Sequence, residues 1–108
     1  MQPTVTVLPD RGGVRVVTCA GEFDADTQGL LRAACETACT APEVVRLVLD
    51  VRGVTFADSS FLNLLLATHQ KSDLTLMGPP PAQLARLLRM TGADQLFAID
   101  DGPAQAAG

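Results

Sequence analysis

The hydrophobic positions near the start of the chain alternate with polar ones and predict two short strands. The segments TVTVL (4–8) and VRVVTCA (14–20) are rich in β-branched residues, which favour strands. PDRGG between them carries the proline and glycines of a tight turn. We therefore predict an N-terminal β-hairpin.

After GEFD (21–24) the spacing of apolar residues changes to that of a helix. Asp24 or Asp26 is placed to cap the start of this helix, and Pro42 ends it. Its apolar face is expected to consist of Leu30, Leu31, Ala34 and Ala38.

A nearly continuous apolar run then predicts a central strand. VVRLVLDV (44–51) is rich in β-branched residues, as expected of a strand covered on both faces. RGVTFA connects this strand to a helix that runs from Asp58 to about Gln70. The residues at helical spacing along it are Leu62, Leu65, Leu66 and His69.

The last third of the chain repeats the order of strand and helix. LTLM (74–77) predicts a further buried strand, and GPPP after it forces a break. A helix begins near Pro81 or Ala82, and Gly92 is well placed just after its last turn. QLFAI (95–99) is a candidate edge strand.

A hairpin followed by alternating strands and helices predicts an α/β fold. The expected architecture is a mixed four- to five-stranded sheet, in which parallel strands follow the N-terminal hairpin and are joined by crossover helices. We expect one domain over residues 3–101 and a weakly structured tail over residues 102–108.

Composition narrows the classes of partner. The 108 residues carry a formal charge of −4, with a pI of about 4.6, which argues against nucleic acid or an anionic membrane as the main partner. No apolar run approaches the ~20 residues of a membrane span, and the start lacks the pattern of a signal peptide. Three cysteines fit a reducing compartment better than a disulfide framework. We therefore expect a cytoplasmic protein that inserts nothing into a membrane.

The stretch FADSSFLNLLL (56–66) places two hydroxyls in front of a leucine-rich helix. With Asp58 as the N-cap, Ser59 and Ser60 occupy the first two helical positions. The free N–H groups and the dipole of a helix N-terminus favour negative charge. A hydroxyl here can therefore carry a phosphate without breaking the helix, although the same residues also suit a plain helix start.

Three segments in this order, GEFD, VVRLVLDVRGVTFADSSFLNLLL and GPPPAQLARLLRMTGADQLFAI, resemble the bacterial anti-sigma factor antagonists that consist of a stand-alone STAS domain. The resemblance implies that the unphosphorylated protein binds a kinase-type anti-sigma factor and frees the sigma factor. Phosphorylation by that Ser/Thr kinase blocks binding, and a phosphatase reverses it. The same resemblance implies that Ser59 is the phosphoacceptor, beside Asp58 and Ser60, and that Asp24 lies near it.

The leucine-rich helix is apolar almost all round, which predicts a partner surface. If Leu62 and Leu65 face the sheet, Phe61 and Leu64 cannot all be buried with them. We expect Phe61 and Leu64, with Asn63, to form an exposed patch that docks the partner. The alternative is that Phe61 packs under the VTF segment or the GEFD turn.

Other chemistry has little support in the sequence. There is no G-x-S-x-G elbow around Ser59, and His69 lies about a helix length away from it. Cys35 and Cys39 lack a second Cys/His pair for zinc, and GPPP lacks the Gly-Lys-Ser/Thr arrangement of a phosphate-binding loop. We expect no enzymatic activity, no cofactor and no metal.

A second function stays open. A STAS-like chain can also be a constitutive accessory subunit of a membrane transport ATPase, docking through the same helix without phosphorylation. The paired serines in the acceptor position favour the regulatory switch.

Overall fold

The strands and helices alternate as the sequence predicts. A computed structural model describes residues 2–100, so the predicted tail at 102–108 lies outside the described part of the chain. Its elements are β1 (Thr4–Val7), β2 (Val14–Phe23), α1 (Gly29–Thr40), β3 (Arg46–Ala57), α2 (Ser59–Lys71), β4 (Leu74–Met77), α3 (Ala82–Thr91) and β5 (Ala98–Asp100).

The strands form one mixed sheet in the order β1-β2-β3-β4-β5. The hairpin strands β1 and β2 are antiparallel, and each later neighbour is parallel to the one before. Because parallel strands in sequential order are joined by right-handed crossovers, the helices lie on one face of the sheet. The predicted α/β architecture is confirmed.

The core lies between that face and the helices. In β3, Leu49 and Val51 are fully buried beneath the helices. Val48, which points to the opposite face, is only half-buried between Val16 and Thr75 of the neighbouring strands. The prediction that this strand is covered on both faces is wrong, because its apolar residues on the open face are shielded only by adjacent strands.

Two strands extend further than the sequence predicts. β2 continues through GEF to Phe23, and the RGVTFA segment is the second half of β3 instead of a connection. The two strands stay paired through irregularities in register, so that the stretch from Thr18 to Phe23 lies beside the longer stretch from Asp50 to Ala57. Bulges of this kind interrupt the alternation of buried and exposed residues, which hides the strand in the sequence.

The start of α1 also differs from the prediction. Neither Asp24 nor Asp26 caps the helix, because α1 begins only at Gly29 and the residue before it, Gln28, makes no side-chain cap hydrogen bond. Leu30 was also predicted on the apolar face, but the buried face consists of Leu31, Cys35 and Ala38, and the side chain of Leu30 is 68% exposed.

The ends of the other two helices agree with the sequence, whereas the last strand differs. α2 has Asp58 as its N-cap, and α3 ends at Gly92, which adopts the left-handed conformation (φ 77°) that favours glycine. A short 3₁₀ turn occupies Ala93–Gln95, so β5 is shorter than QLFAI and begins at Ala98. Within residues 2–100 there is no helix with the length and hydrophobicity needed to span a bilayer.

Candidate functional site

The candidate site lies at the sheet edge where β2 and β3 end. Phe23 and Ala57 are paired across these parallel strands, whose axes are about 4.8 Å apart. Asp24 and Asp58 each follow directly, so the sheet brings both predicted acidic residues to the same edge. Ser59 begins α2 there.

Asp58 caps α2 through one carboxylate oxygen. Its Oδ1 accepts hydrogen bonds from the backbone N–H groups of Ser60 at 3.0 Å and Phe61 at 3.2 Å. The hydroxyl of Ser60 donates to the same oxygen at 2.5 Å. The hydroxyl bond, helped by the backbone bonds, lowers the pKa of Asp58 below its ordinary value. A negative charge therefore sits beside Ser59 at neutral pH.

The two serines differ in their availability. Ser60 is half-buried, and its hydroxyl is committed to Asp58. Ser59 is exposed, and none of the hydrogen bonds among the described residues involves its hydroxyl. Ser59 therefore has the more accessible of the two hydroxyls.

Asp24 is held at the same edge by its own turn. Its Oδ1 accepts from the backbone N–H of Asp26 at 2.9 Å and of Thr27 at 3.0 Å. The Thr27 hydroxyl also lies 3.0 Å from this oxygen. These contacts fix the connection between β2 and α1, which accounts for an aspartate here without any chemical role.

The predicted apolar patch is absent, and this part of the sequence interpretation is wrong. Phe61 has no exposed surface, and Leu64 is only 5% exposed. The ring of Phe61 packs against that of Phe23, with centroids 5.6 Å apart. α2 packs against α1 as well as the sheet, so more of its circumference is buried than one stripe. The alternative, Phe61 against the GEFD segment, is the observed arrangement, while Asn63 is exposed.

Phe56 is an exposed aromatic residue that the sequence interpretation missed. It lies two residues before Asp58, and its side chain is 42% exposed. The segment was predicted to be a connection, so no face was assigned to it. This exposed ring, three residues before Ser59 in the chain, is a candidate for partner contact.

Gln83, in the first turn of α3, is the second missed residue. Its side-chain oxygen accepts from the N–H of Ala57 at 2.9 Å, and its side-chain nitrogen donates to the C=O of Ala57 at 2.7 Å. The pair fastens α3 to the end of β3, directly before Asp58. No local sequence pattern predicts a contact between residues 26 positions apart.

Among residues 2–100, the groups considered for other chemistry lie away from Ser59 or are buried. Across residues 2–100, no cluster of three or more His, Cys, Asp or Glu side chains is arranged to hold a metal. Burial raises the pKa of Cys35 to about 11, so this thiol stays protonated. His69 lies ten residues along α2 from Ser59, about 15 Å, and contacts Phe97 edge-on.

Residues 8–98 match the family model described as "Mlab, STAS domain". The chain is also similar to a STAS-domain containing protein of Pseudomonas aeruginosa (strain UCBPP-PA14), with 30% identity over 101 residues. The aligned region covers 88% of this chain and 97% of the relative.

Solved structures with the same fold include an anti-sigma factor antagonist from Mycobacterium paratuberculosis, which is 29% identical with a TM-score of 0.79. The match covers 98% of this chain and 92% of that one. The Bacillus cell fate determinant SpoIIAA in its phosphorylated form has a TM-score of 0.72 at 19% identity, covering 96% of both chains. At this lower identity the likeness concerns the fold.

Proposed function

The chain belongs to the STAS domain family, and from this membership we propose that it is an anti-sigma factor antagonist controlled by phosphorylation of Ser59. The unphosphorylated form binds a kinase-type anti-sigma factor and frees the sigma factor, and the phosphorylated form does not bind. One observation carries the proposal: the Ser59 hydroxyl is exposed and free of hydrogen bonds among the described residues, beside an ionised Asp58. Similarity to the mycobacterial antagonist supports it.

The phosphoryl transfer itself belongs to the partner. Ser59 Oγ forms a bond to the γ-phosphorus of ATP as the bond to the β,γ-bridging oxygen breaks, the hydroxyl proton is lost, and ADP leaves. This chain is then a kinase substrate with no active site of its own. A phosphatase restores the hydroxyl, and the cycle takes place in the cytoplasm without nucleic acid or membrane insertion.

The charge acts mainly on docking. A phosphate adds about −1.5 to −2 charges at pH 7. At a helix N-terminus this stabilises the chain by only about 0.3–1 kcal/mol, and Asp58 opposes it. In a docked complex the same charge is desolvated beside Asp58, which costs several kcal/mol. Because each ~1.4 kcal/mol is tenfold in affinity, the partner is released.

The docking surface is the exposed part of the edge around Ser59. Asn63 lies one helical turn further along α2 and is exposed, as is Phe56 at the end of β3. Phe56 lies three residues before the acceptor in the chain and Asn63 four residues after it, and both side chains are exposed. We place partner contacts at Phe56 and Asn63.

A constitutive accessory subunit of a membrane transport ATPase is the alternative. Such a subunit would dock through the exposed edge, but its docking would not require an unbonded hydroxyl at Ser59. The cap of α2 is completed by Asp58 with Ser60, so a structural role does not explain Ser59. The bonding of the serines thus favours the phosphorylation switch.

Incubation with the kinase-type anti-sigma factor and ATP, followed by mass spectrometry, tests the acceptor. We expect one phosphate on the wild type and none on Ser59→Ala. Ser60→Ala is the matched control, and it should still be phosphorylated at Ser59. Full labelling of Ser59→Ala would overturn the assignment. A wild type that stays unphosphorylated and docks its partner equally well with and without ATP would favour the transport alternative.

A further inference from the structure

The outer edge of β1 offers unpaired backbone groups. The N–H of Leu8 donates to the C=O of Val16 at 2.9 Å, and the pairing continues to Thr4. Because bonded and non-bonded pairs alternate in an antiparallel ladder, the even-numbered residues of β1 bond to β2. Val5 and Val7 therefore direct their N–H and C=O groups away from β2, towards solvent.

Two prolines limit this open edge. The next outward-facing positions are Pro3 and Pro9, which have no N–H to donate. Between them lies a window of two residues, Val5 and Val7, and Val7 is 51% exposed. No charged residue occurs from position 2 to position 9. Proteins usually prevent an exposed strand edge from pairing with other chains by placing charged residues on it, and this edge has none.

The neighbouring side of α1 is uncharged as well. α1 contacts β1, and its Arg32 and Glu36 line the cleft towards α2. Helical spacing places Leu30, Ala34 and Thr37 on the side away from α2. That stripe and the edge of β1 form one flank, which we call the β1 flank. Glu22 lines its groove together with Pro3 and Leu30.

We propose that the β1 flank is a homodimer interface in which β1 pairs antiparallel with β1 of a second copy. Val5 of one copy lies opposite Val7 of the other, so all four outward N–H groups find carbonyl partners and one sheet runs through both subunits. A shift of register by two residues places a proline opposite a valine and leaves a carbonyl unpaired. The two-fold axis passes beside Thr6, so Thr6 of one subunit lies opposite Thr6 of the other.

Charge also favours a second copy as the occupant. Each chain carries a formal charge of −4, so two copies repel except where charge is lacking. The edge of β1 and the α1 stripe are such a place. Glu22 lies at the Gln2 end of the flank, and in the antiparallel dimer the two copies of Glu22 are separated by about eight residues, roughly 26 Å along the strands, so they repel only weakly. The two-residue window between prolines is also matched in length by the same window of another copy.

Cysteine crosslinking tests the register. In the proposed dimer the two copies of Thr6 are directly opposite, within disulfide reach, whereas the two copies of Thr4 are separated by about 13 Å along the strands. Thr4 and Thr6 are both exposed, which makes Thr4→Cys the matched control. Under mild oxidation we expect Thr6→Cys to form a covalent dimer and Thr4→Cys to stay monomeric. Equal crosslinking of both, or of neither, would overturn the proposal.

Sedimentation of the protein without crosslinks tests the association itself. We expect the mass to rise from 11.3 kDa towards twice that value with concentration. Val7→Pro removes two of the four interchain hydrogen bonds without touching the ladder to β2, and it should raise the dimer dissociation constant by about tenfold or more. Circular dichroism checks that this variant is folded. A wild type that stays monomeric throughout, or a folded Val7→Pro that dimerises equally well, would contradict the interface.

Discussion

At the scale of single residues, the bonding of adjacent hydroxyls decides their roles. Ser60 completes the cap of α2, since its hydroxyl and its N–H both donate to Asp58. Ser59, one residue earlier, has an exposed hydroxyl that takes no part in this cap. The same carboxylate thus stabilises the helix and supplies a negative charge beside the proposed acceptor.

Removal of that cap has a predictable pH dependence. Asp58→Ala should lower the free energy of unfolding by about 1 kcal/mol at pH 7, whereas Ser59→Ala should leave it nearly unchanged. The folded-state pKa of Asp58 is lowered, so its contribution is present above an ordinary carboxyl pKa of about 4 and is lost as pH falls through the lowered value. Urea unfolding at pH 7 and near pH 2 measures this. A deficit that is equal at both pH values would contradict the account.

The sequence predicts the residues that obey local rules. Asp58 was identified as the N-cap because capping depends on neighbours in the chain, whereas Ser59 was proposed as the acceptor from the family resemblance. Gln83 was missed because its bonds to Ala57 depend on how α3 meets β3. The exposed patch at Phe61 was wrong for a similar reason, since burial against Phe23 follows from packing between distant elements.

At the scale of elements, α2 is a buried helix with an exposed first turn. Helical spacing correctly placed Leu62 and Leu65 in the core, but it could not show that α1 also covers this helix. In β3, bulges break the alternation on which strand prediction depends, so Phe56 was assigned to a connection. Single-element periodicity therefore predicts the type of element better than its full length or the number of faces it buries.

Two phenylalanines near the site should respond differently to truncation. Phe61→Ala removes a fully buried ring packed on Phe23 and should lower the free energy of unfolding by about 3–5 kcal/mol. Phe56→Ala, at an exposed ring, should cost less than about 1 kcal/mol while weakening partner binding. Urea unfolding together with a binding titration separates these effects. A neutral Phe61→Ala, or unchanged binding by Phe56→Ala, would contradict the assignment.

At the scale of the whole molecule, the sheet explains how a small domain brings the residues of the proposed switch to one edge. Strand order places the ends of β2 and β3 together, so Asp24, Asp58 and Ser59 meet at one edge. The hairpin and the strand–helix alternation were readable in the sequence because they follow from periodicity and turn residues. The β1 flank was not, since it depends on which backbone groups β2 leaves free.

The central claim is that phosphate on Ser59 changes docking and leaves the fold intact. The most direct test is a calorimetric titration of the kinase-type anti-sigma factor with unphosphorylated and Ser59-phosphorylated protein, each checked by urea unfolding. We expect binding to weaken about 100-fold or more on phosphorylation, while the free energy of unfolding changes by less than about 1 kcal/mol. Equal affinity of the two forms, or a loss of stability large enough to explain the weaker binding, would contradict the account.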